Sequence, residues 1–186
     1  MVNNKRFKIG VFGSAGGSEL EEQILKAHAI GVNIALNGGI LCTGACSGIP
    51  HEAALDAAKQ GASVLGFSPA INFKEHIATF NFPVAPYVLV FTGMGLKGRN
   101  VICTRTCDAG IFISGRYGTM NEFTLMYDEG EGKIIGLLEG SGGFVDSMII
   151  PSLKDTEKKS KAVIVTESDP RILVEKVFEN LKEFKR

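Results

Sequence analysis

Short, almost wholly apolar runs alternate along this chain with longer stretches whose apolar positions recur every three or four residues. The runs at residues 7–12, 39–43, 62–67, 87–91, 109–113, 133–138 and 162–165 predict strands. Between them, residues 19–35, 50–60, 95–106, a stretch opening at Thr119, 144–153 and 170–184 predict helices. In the first helix Leu20, Ile24, Ala27, Ile30 and Ile34 fall on one face. Pro50 opens the second, where its missing N–H costs little, and Gly61 closes it. Strand runs without polar alternation are those of a sheet covered on both faces. Their alternation with helices predicts a parallel, doubly wound (Rossmann-like) α/β domain of six or seven strands, spanning residues 1–186 as one unit.

One connection breaks the rhythm. Residues 68–86 are long for a loop and carry Phe73, His76, Phe80 and Phe82. A loop of this kind is a lid, a pocket wall, a subunit contact, or a cover packed on the core. The 20 basic and 20 acidic residues balance, so bulk electrostatics favour neither nucleic acid nor an anionic membrane. No apolar run approaches the roughly 20 residues of a membrane helix. The opening residues lack the apolar core of a secretion signal, and a cytoplasmic protein is expected. Cys42, Cys46, Cys103 and Cys107 form two C-x3-C pairs without a neighbouring histidine; they read as small core residues, and no metal is expected.

Three glycine turns follow predicted strands, at 13–17, 44–48 and 115–118. In a doubly wound sheet all three open on the edge where ligands bind. The third, Ser114-Gly115-Arg116-Tyr117-Gly118-Thr119-Met120-Asn121-Glu122, is the richest in chemistry. A glycine turn into a helix aims bare N–H groups at an anion, most often a phosphate. Arg116 adds a cation and Glu122 a carboxylate. Thr119-x-x-Glu122 also fits a capping box, in which Glu122 would serve only its own helix. Arg99, near the start of the preceding helix, sits at the positive end of a dipole, where it makes better sense beside a bound anion than alone. A solvated surface arginine is the competing reading.

Arg99, followed by Gly115-x-x-Gly118-Thr119-x-x-Glu122, resembles the signature of the Lonely Guy (LOG) family. The turns at Gly13-Ser14 and Gly39 through Gly48 are also similar, so the likeness runs from about residue 8 to residue 138. Some members carry the label lysine decarboxylase, but nothing here calls for pyridoxal phosphate or another cofactor. The resemblance implies a phosphoribohydrolase that cleaves the N-glycosidic bond of a nucleoside 5′-monophosphate. Arg99 and Glu122 would be catalytic; Gly13, Ser14, Gly44, Gly48, Gly115, Arg116, Gly118 and Thr119 would hold the nucleotide and its phosphate. Two positions depart from the family pattern: Ser114 stands for its proline and Arg116 for its second glycine. The alternative is a non-catalytic carrier or sensor of a phosphorylated ligand, since similar proteins include a molybdenum-cofactor carrier. The resemblance and the apolar 68–86 segment together imply a homodimer.

Overall fold

A computed structural model describes residues 6–16, 21–155 and 160–184. Leu20, Gly17 and the start expected for the first helix lie outside the described residues. The chain builds β1 (Lys8–Gly13), α1 (Glu21–Leu36), β2 (Ile40–Thr43), α2 (Ile49–Lys59), β3 (Val64–Ser68), α3 (Phe73–Ala78) and β4 (Val88–Phe91). The second half adds α4 (Gly95–Thr106), β5 (Ala109–Ile113), α5 (Tyr117–Asp128) and β6 (Ile134–Leu138). A π-helical turn (Val145–Ile149) then runs into α6 (Ile150–Asp155), followed by β7 (Val163–Glu167) and α7 (Pro170–Phe184).

All seven strands are parallel, in the order β4-β3-β2-β1-β5-β6-β7. The expected doubly wound α/β fold is the one observed. The winding reverses between β1 and β5, whose pairing runs from Ile9↔Ala109 to Gly13↔Ile113. Period-two alternation along each strand divides the core in two. Ile9, Val11, Leu41, Ile111 and Ile134 face α1, α2 and α7. Phe12, Cys42, Phe112, Ile135 and Leu137 face α4, α5 and the π-helical turn. Both faces are therefore covered, which is why the strands read as unbroken apolar runs. Among the described residues, no helix is long and apolar enough to cross a membrane.

The 68–86 segment is not an irregular loop throughout, because it contains α3. Asn72 caps that helix by accepting from the Glu75 N–H at 2.9 Å, and the Glu75 carboxylate accepts from the Ile71 N–H at 2.7 Å. This reciprocal exchange is a variant of the capping box. His76 is fully buried, with Nδ1 2.9 Å from Ser68 Oγ and Phe73, Phe82 and Phe91 around its ring. The histidine thus pins the segment to the end of β3.

Candidate functional site

The switch between β1 and β5 creates a cleft at the carboxyl ends of the strands. Three segments close around it. Gly13, Ser14 and Ala15 leave β1; Gly44 and Cys46 leave β2; Arg116, Gly118 and Thr119 follow β5. The first two are stitched together, with the Ile49 N–H donating to Ser14 O at 2.9 Å and Ser47 Oγ donating to Ala15 O at 2.9 Å. Together with the start of α4 they enclose a cavity of about 220 Å³.

Arg99 and Glu122 meet in its wall. Arg99 Nη1 donates to Glu122 Oε1 at 3.2 Å, and both side chains are less than one tenth exposed. Arg99 is therefore not a solvated surface residue. Beside the pair, Asn100 of α4 donates to Asn121 of α5 at 2.8 Å, which fixes the two helices in register. The guanidinium lies directly against the backbone of Gly44: a Cβ placed there would come within 2.0 Å of Arg99 Nη1. Only glycine leaves this room. Among the described residues, none partners the buried Arg99 Nε. Burial pushes the Glu122 carboxyl up to about 7, against the opposing pull of Arg99 and Lys97.

The capping-box reading of Glu122 fails. The helix α5 opens two residues earlier than expected, at Tyr117, with Arg116 as its N-cap and no side-chain cap bond. Thr119 is then inside the first turn and not at the cap, and its N–H is one of the helix-start donors that have no acceptor within the helix. Glu122 turns instead to α4. The Arg116 guanidinium donates to the Gly16 carbonyl, bridging the β5–α5 turn to the β1–α1 segment across the cavity mouth.

Two of the expected binding glycines do other work. Neither Gly48 nor Gly115 lines the cavity. Gly48, at φ 84, lies against Ser14 and Ala15, where a Cβ would fall 2.3 Å from Ser14 O. Gly115, at φ 88, is covered by the Thr119 side chain. Both are needed for loop-to-loop packing at a positive φ that other residues resist. Ser114, at φ 53, is held from behind. Its N–H donates to Ser141 Oγ at 2.8 Å, and that hydroxyl donates to Leu138 O at 2.7 Å.

The core role expected of the four cysteines holds for Cys42, Cys103 and Cys107, and Cys46 departs from it. Cys46 is buried but lines the cavity, close enough to Arg99 for its thiol to feel the guanidinium charge. Burial pushes this thiol up, while the Arg99 charge opposes the shift. It stands there because the chain bends sharply at Ala45, whose φ is 56. In total, three cations (Lys97, Arg99 and Arg116) and one carboxylate (Glu122) line the cavity. With the open N-terminus of α5, this arrangement suits an anion.

Comparisons with known proteins agree with this architecture. A protein of Archaeoglobus fulgidus described as uncharacterized is 32% identical over 127 residues, covering 68% of this chain and 78% of its own. The solved structure of TM1055 superposes with a TM-score of 0.79 at 23% identity, over 93% of this chain and 99% of that one. The molybdenum cofactor binding protein of Rippkaea orientalis gives a TM-score of 0.72 at 24% identity, over 98% of this chain and 99% of that one. At such identities the structures establish the shared fold. The resemblance seen in the glycine turns thus holds at the level of a SLOG, Rossmann-like family. A family model covers residues 6–174, and this chain belongs to the SLOG cluster4 family.

Proposed function

We propose that this protein binds a small phosphorylated, nucleotide-like ligand in the β1/β5 cleft, as a carrier or sensor, through one domain spanning residues 1–186. The observation that carries this reading is the buried Arg99–Glu122 pair facing the same cavity as Lys97, Arg116 and the N-terminus of α5. The N–H groups of Gly118 and Thr119 would receive the phosphate, with Arg116 leaving the Gly16 carbonyl for a stronger charge-assisted bond. Gly13, Ser14 and Gly44 would shape the floor. A fold shared with a molybdenum cofactor binding protein makes that cofactor one ligand to test, by analogy of fold alone. Calorimetry with AMP, the molybdenum cofactor and inorganic phosphate tests the reading. At least one should bind in the Kd range typical of small metabolites, and Arg99→Ala should weaken it tenfold or more, roughly the worth of one charge-assisted bond. Failure of all three ligands overturns the proposal.

A second reading, hydrolysis of a nucleoside 5′-monophosphate to base and ribose 5-phosphate, draws support from one observation. Glu122 is buried beside Arg99 in the cavity wall, and that burial pushes its carboxyl up to about 7, close to the working range of a general acid or base. A carboxylate in this position can also stabilise an oxocarbenium-like state or orient water, while Arg99 pins the substrate. Release of free base from a panel of nucleoside monophosphates, lost in Glu122→Gln, is the expected outcome for a hydrolase; no release from any of them leaves the carrier reading. In either case the protein is read as a homodimer that works without nucleic acid or membrane.

A further inference from the structure

Resting on the anion-site reading above, we propose that Glu122 enters the complex as the neutral acid, so that the pocket takes up one proton together with its anionic ligand. The placement of the charges carries this. Among the described residues, the one hydrogen bond that the Glu122 carboxylate accepts comes from Arg99 Nη1. Arg99 is the one buried cation of the cavity wall; Lys97 and Arg116 are exposed. The guanidinium sits deep in the site, with the Gly44 backbone close behind it and the Cys46 thiol near enough to feel its charge. Its Nε has no partner among the described residues. An anion that reaches this guanidinium therefore has to share it with Glu122.

Two negative groups around one buried cation repel each other in a wall that water screens poorly. Protonation of Glu122 removes that repulsion. It also converts a carboxylate, which only accepts, into an acid that donates to a ligand oxygen. The groups that share the wall with Glu122 are Arg99 and Lys97 from α4, Cys46 from the β2–α2 segment and Arg116 from the β5–α5 turn. Burial pushes the Cys46 thiol up, so it already holds its proton at neutral pH. Glu122 is thus the group in this wall with a place for one more. Its burial prepares the step, holding the carboxyl at about 7 before any ligand arrives.

Inorganic sulfate is the probe, because it keeps its charge where a phosphate monoester changes its own. Calorimetry on the full chain, between about pH 6 and about pH 9, in two buffers of different protonation enthalpy, reads the proton directly. The expected result at about pH 8 is a difference in heat between the buffers that corresponds to about one proton taken up. Affinity should fall about tenfold per pH unit on the alkaline side. Glu122→Gln, which keeps the shape but not the titration, should bind sulfate without proton uptake and about tenfold or more tightly than the parent at about pH 9. Sulfate binding by the parent with the same affinity throughout and no buffer-dependent heat overturns proton coupling while leaving the anion site standing. No sulfate binding at any pH overturns both. The parent's buffer dependence decides the matter even if the variant folds poorly.

Discussion

At the scale of single residues, the centre of interest is a carboxyl kept out of water. Burial pushes the Glu122 carboxyl up to about 7 in the folded chain, from an ordinary value of 4.5. Between those values the folded state holds more protons than the unfolded one, so stability falls as pH rises. The contribution is complete below the unfolded value and gone once pH has passed the folded one. Relative to Glu122→Gln, the parent should lose on the order of 3 kcal/mol across that window, read from chemical denaturation at a series of pH values. A flat difference would mean that Glu122 is solvated. Gly44→Ala makes a different demand. The added methyl collides with the end of a flexible side chain and not with backbone, so the guanidinium moves and the fold survives. We expect a stability loss of about 1–2 kcal/mol but a much larger loss of ligand affinity, because Arg99 is driven off Glu122. Equal losses of both, by denaturation and calorimetry, would contradict this.

Residues also mark where sequence reading stopped. Arg99 and Glu122 were legible because a charge at a helix start and a carboxylate after a glycine turn are unusual outside binding sites. Cys46 was not legible. Cysteine is buried so often that burial in a cavity wall and burial in a core look alike from the sequence. What separates them here is the bend at Ala45, a residue that gives no sign of a positive φ. Gly48 and Gly115 show the converse. Their sequence announces a special backbone but not whether a ligand or a neighbouring loop fills the space beside it.

At the scale of elements, the strands and most helices follow from apolar periodicity alone, and α4 and α7 begin and end where that pattern does. The helix α3 escaped because six residues make less than two turns and leave no periodicity to see. Its signal was the spacing Asn72-x-x-Glu75. The turn between β5 and α5 depends on a brace from the loop after β6. Ser141 accepts from the Ser114 N–H and satisfies Leu138 O, and it is 1% exposed. Ser141→Ala leaves a buried donor without a partner, at a cost of about 1–3 kcal/mol. The expected result is that loss in urea denaturation, accompanied by weaker ligand binding. Unchanged affinity would show that the turn holds its shape unaided.

At the scale of the whole molecule, one flank of the sheet is unusually apolar. The strand β4 pairs on one side only, and Val88, Phe91, Phe73, Ile71 and Val84 are exposed along it. Met94 and Leu96 extend the patch to the cavity, which Leu96 also lines. A surface of this kind on a chain with no net charge invites self-association. Light scattering at micromolar concentration should report a dimer, and Val88→Asp should convert it to a folded monomer. A monomeric parent would refute the dimer.

The pairing of Gly13 with Ile113 has a temporal meaning as well. During synthesis, Gly13, Ser14, Gly44 and Cys46 leave the ribosome long before Arg99 and Glu122 exist. Until β5 arrives, the inner edge of β1 is a bare template with unpaired backbone groups and apolar sides. No ligand can rescue that interval, because the cations that would attract one are still to be translated. The nascent chain is therefore at its most adhesive before β5 is made, and any rare-codon pause placed there would prolong that state.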